Sequence, residues 1–395
     1  MNSPKIAVVS PYLNADQNST GYFWRYIWRS VSQGYPAAYE ISLDHAVAPI
    51  WIRRRAVFRA GWEMLTSLII VTRFLSRRRG PTILLSGTNP ALVFIFFALI
   101  RRMVPFRWIL VSFDVFPENL FSTGALQEKS AFGRILAYIS RWSYRQADKV
   151  VVIGRDMGEI VARTKGVERS RIQYIPNGVN VSDISVIPKK DSRILSTVTR
   201  KNRFVFQFFG NLGRLQGIQN IINAIKLTKT ENVEFMFWGE GTMVPEVQHL
   251  ALTHSDRVSY CGPVDQDNRS EVLAACDVAI VSLNEGMYGL GVPSKSYFTM
   301  AADRPFILIS DTDTEMHQFL RQYNVGWHCP PNSPRLLAEL FDELASGRKE
   351  VPSAMTVRAI AESHCGIEQM LRSYENLLAS EVGSLLYVKD RANVA

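Results

Sequence analysis

The sequence predicts an α/β protein made of two consecutive domains, each a parallel, doubly wound sheet. Three observations carry this. Short apolar runs recur with helical patterns between them, as a parallel sheet requires, because each parallel crossover takes a helix. The alternation stops once, at VIPKKDSRILSTVTRKNR (186–203), a polar, basic stretch without periodicity that reads as a surface linker, and then restarts. A length of 395 residues suits two domains of ordinary size.

KIAVVSPY is the first strand. STGYFWRYIWRSVSQG follows as a helix, with Ser19 or Thr20 as N-cap and Gly34 as its stop. TILLS (82–86), WILVSFD (108–114) and KVVVIG (149–154) are further strands, and IQYIPNGVN (172–180) adds one more and a tight Asn-Gly turn. Beyond the linker, FVFQFFGNLG, VEFMFWGEG, RVSYCGPV, VAIVSL and PFILIS are strands separated by helices, one over about Gln219–Thr228 and another from near Pro293 to near Asp303. From Pro352 the pattern is mainly helical, through MLRSYENLLASEVGSLL, and KDRANVA reads as a frayed end.

Composition narrows the function classes. With 47% hydrophobic and 21% charged residues the chain is globular. Cys261, Cys276, Cys329 and Cys365 lack CxxC spacing and read as buried thiols of a reducing compartment. The 6 histidines form no HExxH cluster, so no metal site is expected. A net charge of +9 favours an anionic partner. No basic stripe with interleaved stacking aromatics marks the second half, which argues against nucleic acid. Basic residues crowd the first third, in WIRRR (51–55), SRRRG (76–80) and IRRMVPFR (100–107), beside apolar, aromatic segments. That arrangement suits a face laid against a membrane; two core helices with basic solvent ends over 62–104 would also produce it. The apolar run PALVFIFFALI (90–100) is far shorter than the roughly 20 residues a spanning helix needs. MNSPKIAVVSPYL has no charged segment leading into an apolar one, so a cytoplasmic location is expected, with at most a peripheral place on the membrane.

Ligands of open parallel sheets bind beyond the carboxyl ends of the strands, which is where the glycine-rich turns fall. In FFGNLGRLQG, Gly210 and Gly213 allow close backbone approach, and Arg214 offers a planar fork to phosphate oxygens. WGEGTM (238–243), with Gly239, is a second such turn; in YCGPV (260–264), Gly262 and Pro263 leave backbone near Val264 able to pair with a base edge. Plain strand-to-helix turns would account for each of these taken singly. In GLGVPSKSYFTMAADRP (289–305), Gly289 and Gly291 precede a helix with Pro293 at its start and Ser294 and Lys295 in its first turn. Free amides there attract an anion, and a lysine set against the helix dipole has one to meet, unless it is simply exposed. Asp114 closes a strand, and Glu118 follows it; either can orient a hydroxyl or accept its proton, and Glu118 can equally cap a helix or pair with a cation. Arg155 and Asp156, after KVVVIG, also sit at a strand's end as site candidates, although an ion pair with a helix-capping Asp would account for them.

Taken in order, IPNGVN, FFGNLGRLQG, WGEG, YCGPV, ACDVAIVSL and GLGVPSKSYFTMAADRPFI resemble the retaining glycosyltransferases of the GT-B fold, family 4, in the branch that builds exopolysaccharide, colanic acid and O-antigen. FDVFPENL (113–120) and STGYF are similar to that branch's upstream segments. The resemblance implies two Rossmann-like domains whose parallel sheets face each other across a cleft: residues 1–188 for the acceptor, with a C-terminal helix (365–395) available to pack back onto them, and 200–360 for the donor.

It further implies a UDP- or GDP-sugar donor, a lipid-linked saccharide acceptor and a place at the inner face of the plasma membrane. No metal or other cofactor is implied, since fixed cations and dipoles stabilise the leaving diphosphate. Gly21, Gly210, Asn211, Gly213, Arg214, Gly239, Gly262, Val264, Gly289, Gly291, Ser294 and Lys295 would bind the donor, and Asp114, Glu118 and Glu285 would be the catalytic carboxylates. One departure stands out. Many members carry two glutamates eight positions apart, the later one on the ribose; here Leu290 and Phe298 fill those places, and Glu285 lies further upstream. A transferase using a soluble acceptor, and a nucleotide-sugar-binding assembly protein without catalysis, are the competing readings.

Overall fold

The computed structural model describes residues 5–10, 19–42, 62, 65–66, 69–73, 82–88, 93–198, 203–264 and 268–392. The basic segments WIRRR and SRRRG and the first residues of PALVFIFFALI lie outside them. The chain divides into two compact units, Met1–Asn177 with Gly289–Gly291 and Glu368–Ala395, and Gly178–Tyr288 with Val292–Ile367. This division falls at Asn177, where the sequence reading set the first domain's limit at 188. Beyond Gly178 the chain is tied to its own unit, because Val179 donates its N–H to the Cys365 carbonyl (2.8 Å) and accepts from Ile367 (3.1 Å).

In the first unit, β1 (Lys5–Ser10), β2 (Tyr39–Ser42), β3 (Thr82–Gly87), β4 (Arg107–Ser112), β5 (Lys149–Val152) and β6 (Ile172–Tyr174) form a six-stranded sheet in the order β2-β1-β3-β4-β5-β6. All its pairings are parallel. Its helices include α1 (Ser19–Gly34), α2 (Val93–Ile100), α3 (Glu118–Ser122), α4 (Ala131–Gln146) and α5 (Arg155–Ile160). The central strands are apolar without alternation, as a sheet covered on both faces demands: Ile83, Leu84, Leu85, Ile109, Leu110 and Val111 are all inaccessible. On α2, Phe94 and Phe97 are equally buried, so residues 93–100 form a core helix. Strand β2 was not expected. It is short and polar, YEIS, and is recruited by the edge of β1 rather than by an apolar pattern of its own.

In the second unit, β7 (Phe204–Phe209), β8 (Val233–Trp238), β9 (Val258–Gly262), β10 (Val278–Ser282), β11 (Phe306–Ile309) and β12 (Gly326–Cys329) form a parallel sheet in the order β12-β11-β10-β7-β8-β9. Phe206, Phe208, Phe235 and Phe237 point to one face and pack with Ile221 and Ile225 of α7 (Ile218–Leu227) and with Phe341. The 186–203 segment is not a plain linker. It carries α6 (Arg193–Val198), held to its own unit by Arg193 on Glu271 (3.1 Å) and by an ion pair between Lys189 and Asp277; hydrophilic composition hid a helix fixed by charge rather than by apolar periodicity.

Further along this unit come α8 (Val244–Thr253), α9 (Arg269–Ala274), α10 (Lys295–Ala301), α11 (Glu315–Tyr323), α12 (Pro334–Ala345) and α13 (Thr356–His364). The last helix, α14 (Ile367–Ala392), runs into KDRA instead of fraying before it. From Glu368 onward it belongs to the first unit, where Glu375 accepts from Ser30 of α1 (2.7 Å) and Glu381 pairs with Arg107.

Candidate functional site

The three glycine turns at the carboxyl edge of β7, β8 and β9 interlock through their backbones. Gly210 donates to the Trp238 carbonyl (2.8 Å), Gly239 to Gly262 (2.7 Å) and Leu212 to Glu240 (2.7 Å). The Tyr260 hydroxyl closes the set on the Gly239 carbonyl (3.0 Å). Glycine is required at Gly239: φ is +132°, and a Cβ there would stand 1.9 Å from the Gly210 carbonyl oxygen. Gly262 is needed for its φ of +81°, since a Cβ there meets nothing within 4 Å among the described residues. Half-buried Val264 follows two residues on.

After β7 the chain turns through Asn211 and the buried Gly213 into a 3-10 turn, Arg214–Gln216. Asn284, just past β10, donates to Leu215 (2.7 Å) and fixes that turn. Arg214 stands exposed on it, with no carboxylate partner among the described residues.

Lys295 is the first residue of α10, which starts two residues later than the sequence reading placed it. Ser294 precedes it without a side-chain capping bond. As a residue Lys295 is only half-buried, yet its Nζ is enclosed and has no hydrogen-bond partner among the described residues. The nitrogen lies 3.9 Å from the centroid of the Phe208 ring. A Cβ on Gly210 would come within 2.6 Å of Lys295 Cε, so this glycine lets the lysine through as well as making the turn. Burial pulls its pKa from the usual 10.5 down to about 7. An unpaired amine in such a place is costly, and an anion beside it would remove the cost.

The EGMYG loop has an anchor that sequence reasoning missed. Asp311, the second residue after β11, accepts from the Gly286 N–H (3.3 Å) and the Tyr288 N–H (3.0 Å). A carboxylate just beyond PFILIS was the available signal. Glu285 is exposed and accepts from Asn332 (2.7 Å). Leu290 and Phe298, at the places of the family's glutamates, are both buried; the Arg269 guanidinium lies 4.9 Å from the Phe298 ring centroid. Phe298 is thus a core residue, and its position offers no carboxylate.

Gly289–Gly291 is counted with the first unit. There Gly289 (φ +66°) donates to the buried Asp156 carboxylate (3.1 Å), which also accepts from Met157 (2.8 Å). Leu290 accepts from Val115 (3.0 Å), and Gly291 bridges Asp114, whose carboxylate would lie 3.1 Å from a Cβ on that glycine. Asp114 lies two residues past the end of β4 instead of closing it, because Ser112 Oγ takes up the Asp114 carbonyl (3.1 Å) and turns the chain.

Glu118, the first residue of α3, is held by Lys165 at 2.5 Å. The Lys165 ammonium is fully buried and also donates to the Phe116 carbonyl (2.8 Å) and Ser140 Oγ (3.1 Å). Burial lowers its pKa and Glu118 opposes that shift. Gly21 is the third residue of α1 and is buried. Among the described residues no three His, Cys, Asp or Glu side chains converge as a metal site.

Comparison with known proteins decides the family. Residues 30–178 match the glycosyl transferase 4-like domain, and residues 191–362 match the glycosyl transferases group 1. The chain is 38% identical over 357 residues to the probable glycosyltransferase WbjE of Pseudomonas aeruginosa, covering 86% of this chain and 89% of that one. The chain belongs to glycosyltransferase family 4. A putative colanic acid biosynthesis glycosyl transferase, WcaI of Escherichia coli K12, is 23% identical over 243 residues, 60% of this chain and 58% of its own. HepE of Anabaena, solved with UDP, superposes with a TM-score of 0.68 at 13% identity, covering 95% of this chain and 100% of that one. The two parallel six-stranded sheets are the two Rossmann-like domains of the GT-B fold.

The second unit brings Gly210, Asn211, Gly213, Arg214, Gly239, Gly262, Ser294 and Lys295 to the turns around its carboxyl edge. Glu285 stands on the same unit, bonded to Asn332.

Proposed function

We propose that this family 4 glycosyltransferase moves a hexosyl group from a UDP- or GDP-sugar to a lipid-linked saccharide, with retention and without a metal. Its setting is the assembly of bacterial surface polysaccharide at the inner face of the plasma membrane. The observation that carries the donor half is Lys295: an enclosed, unpaired amine beside a glycine turn has the form of a diphosphate counter-charge awaiting its ligand. Exposed Arg214 supplies a second cation, and together they take the charge that builds on the leaving diphosphate. The nucleoside then lies toward Gly262 and Val264, where a Cβ on Gly262 meets no described residue within 4 Å. UDP bound to HepE supports a uridine donor.

Asp114 orients the acceptor hydroxyl or takes its proton, for attack on the face from which the diphosphate departs. Glu118, engaged by Lys165, steadies the Asp114–Glu118 segment, and Glu285 reaches the donor sugar. The polysaccharide setting draws on the colanic acid relative and on the branch that the ordered segments resemble. Among the described residues no helix is long and apolar enough to cross a membrane; a peripheral contact is the proposed route to the lipid-linked acceptor.

The buried Phe298 favours a second reading, a nucleotide-sugar-binding assembly protein without catalysis. One experiment separates the two: incubate the protein with a panel of nucleotide sugars and membrane lipid extract, with and without EDTA. Transfer that survives EDTA supports the transferase. Nucleotide binding without hydrolysis or transfer supports the assembly protein.

A further inference from the structure

Helix α4 turns an apolar strip outward. Its inner face, Leu136, Ser140, Ser143 and Tyr144, is buried against the first unit, as an amphipathic helix requires. On the other side Phe132 is 63% exposed, Ile135 57% and Tyr138 72%. These positions are three apart, so the side chains lie along one stripe. Large apolar groups scattered singly are ordinary on a surface, whereas three in register on one helix form a patch.

The charges around the strip are one-sided. Lys129, Arg134 and Arg141 are exposed, with no ion-pair partner among the described residues, and Glu128 is the one acidic residue between 128 and 146. The adjoining helix α2 packs beside α4 and exposes Leu99 (46%), followed by Met103 (81%) and the exposed Arg102.

We infer that the outer face of α4 is the surface by which the protein docks on an anionic lipid bilayer, with Phe132, Ile135 and Tyr138 entering the acyl boundary and Lys129, Arg134 and Arg141 meeting head groups. Charge complementarity selects this occupant. A second copy of the chain, paired on this same face about a twofold axis, would set cations against cations, whereas an anionic surface neutralises Arg134 and Arg141. Tyrosine at the rim suits the interface, its ring in the apolar layer and its hydroxyl in water. The inference rests on the lipid-linked acceptor reading and gives it a place in the fold, on the unit that carries Asp114. The basic segments of the first third had suggested such a contact; α4 was not among them.

The test is co-flotation with phosphatidylcholine vesicles, with and without about 30% phosphatidylglycerol, using wild type, Phe132→Ser/Ile135→Ser/Tyr138→Ser and Arg134→Gln/Arg141→Gln. Donor hydrolysis without vesicles and the melting temperature are read in parallel. Wild type should partition onto the anionic vesicles and be released by salt. The triple variant should lose roughly tenfold or more in partitioning with melting and hydrolysis unchanged, and the double variant should lose most of the preference for phosphatidylglycerol. Equal flotation of the triple variant and wild type would overturn the inference. So would failure of wild type to float, or a triple variant whose only change is lost self-association. If flotation follows expectation while wild type neither hydrolyses nor transfers any donor, the transferase reading fails and the docking surface stands.

Discussion

Replacing Lys295 by methionine should abolish a pH dependence of donor binding that the wild-type structure dictates. In the free protein the amine is enclosed, unpaired and pulled down to about 7. A diphosphate beside it favours the charged form and moves the pKa back toward the usual lysine range of 10.5. Binding therefore takes up a proton wherever the free amine is neutral. At pH 8 about one free molecule in ten carries the charge, and at pH 6 about nine in ten, so affinity should be nearly flat below pH 7 and fall about tenfold between pH 6 and pH 8.

Calorimetric titration with a UDP- or GDP-sugar, whose diphosphate does not titrate in this window, reads the affinity. Repeating it at pH 8 in two buffers of different ionisation enthalpy should show close to one proton taken up per nucleotide. Lys295→Met should bind at least tenfold more weakly at pH 6, with no slope and no proton uptake. The free variant should also be more stable than wild type near neutral pH, because the wild-type chain folds at the cost of enclosing an amine. The sign is fixed: between about 7 and 10.5 the unfolded chain holds a proton that the folded chain has lost, so wild-type stability rises with pH there. A flat affinity profile in wild type, or an unchanged slope in Lys295→Met, would refute the reasoning.

Other substitutions probe the supports of the two sites. Gly239→Ala places a Cβ 1.9 Å from the Gly210 carbonyl oxygen at a φ of +132°, and should lower stability by more than 2 kcal/mol, roughly, in urea unfolding while weakening nucleotide binding. Lys165→Met should cost about 3 kcal/mol by leaving the Glu118 carboxylate without its cation, and Lys165→Met/Glu118→Gln should recover part of this. The activity of Glu118→Gln alone, compared at equal folded fraction, then shows whether the carboxylate does chemistry or only steadies its segment. Asp311→Ala frees the Gly286 and Tyr288 amides and should raise the donor KM several-fold with a smaller change in kcat; an equal fall in both kcat and kcat/KM would assign Asp311 to the transition state instead.

Much of the fold is legible in the sequence. Strands such as TILLS and VAIVSL are fully buried in parallel sheets, so unbroken apolar runs announce them, and the glycine turns are visible because those positions cannot carry a side chain. What stayed hidden depends on partners distant in sequence. YEIS is a strand only because β1 offers it an edge, and the helix Arg193–Val198 is held by Glu271, with Asp277 anchoring the turn before it.

In the site, Lys295 was picked out as a cation in a first turn, but its enclosure under Phe208 and Gly210 follows from tertiary packing. Glu118 read as a candidate base or as the partner of a cation, and which cation stayed hidden because Lys165 is 47 residues away. Phe298 read as a missing glutamate and is in fact a well-filled core position beneath Arg269.

The central claim, that this chain transfers sugar from a nucleotide donor without a metal, meets its most direct test in mass spectrometry of the reaction with a nucleotide-sugar panel and membrane lipid extract in EDTA. The account predicts that one donor is consumed, its nucleoside diphosphate appears, and a lipid-linked saccharide gains one glycosyl unit, with Lys295→Met losing the activity. Tight nucleotide binding with every donor left intact would contradict it.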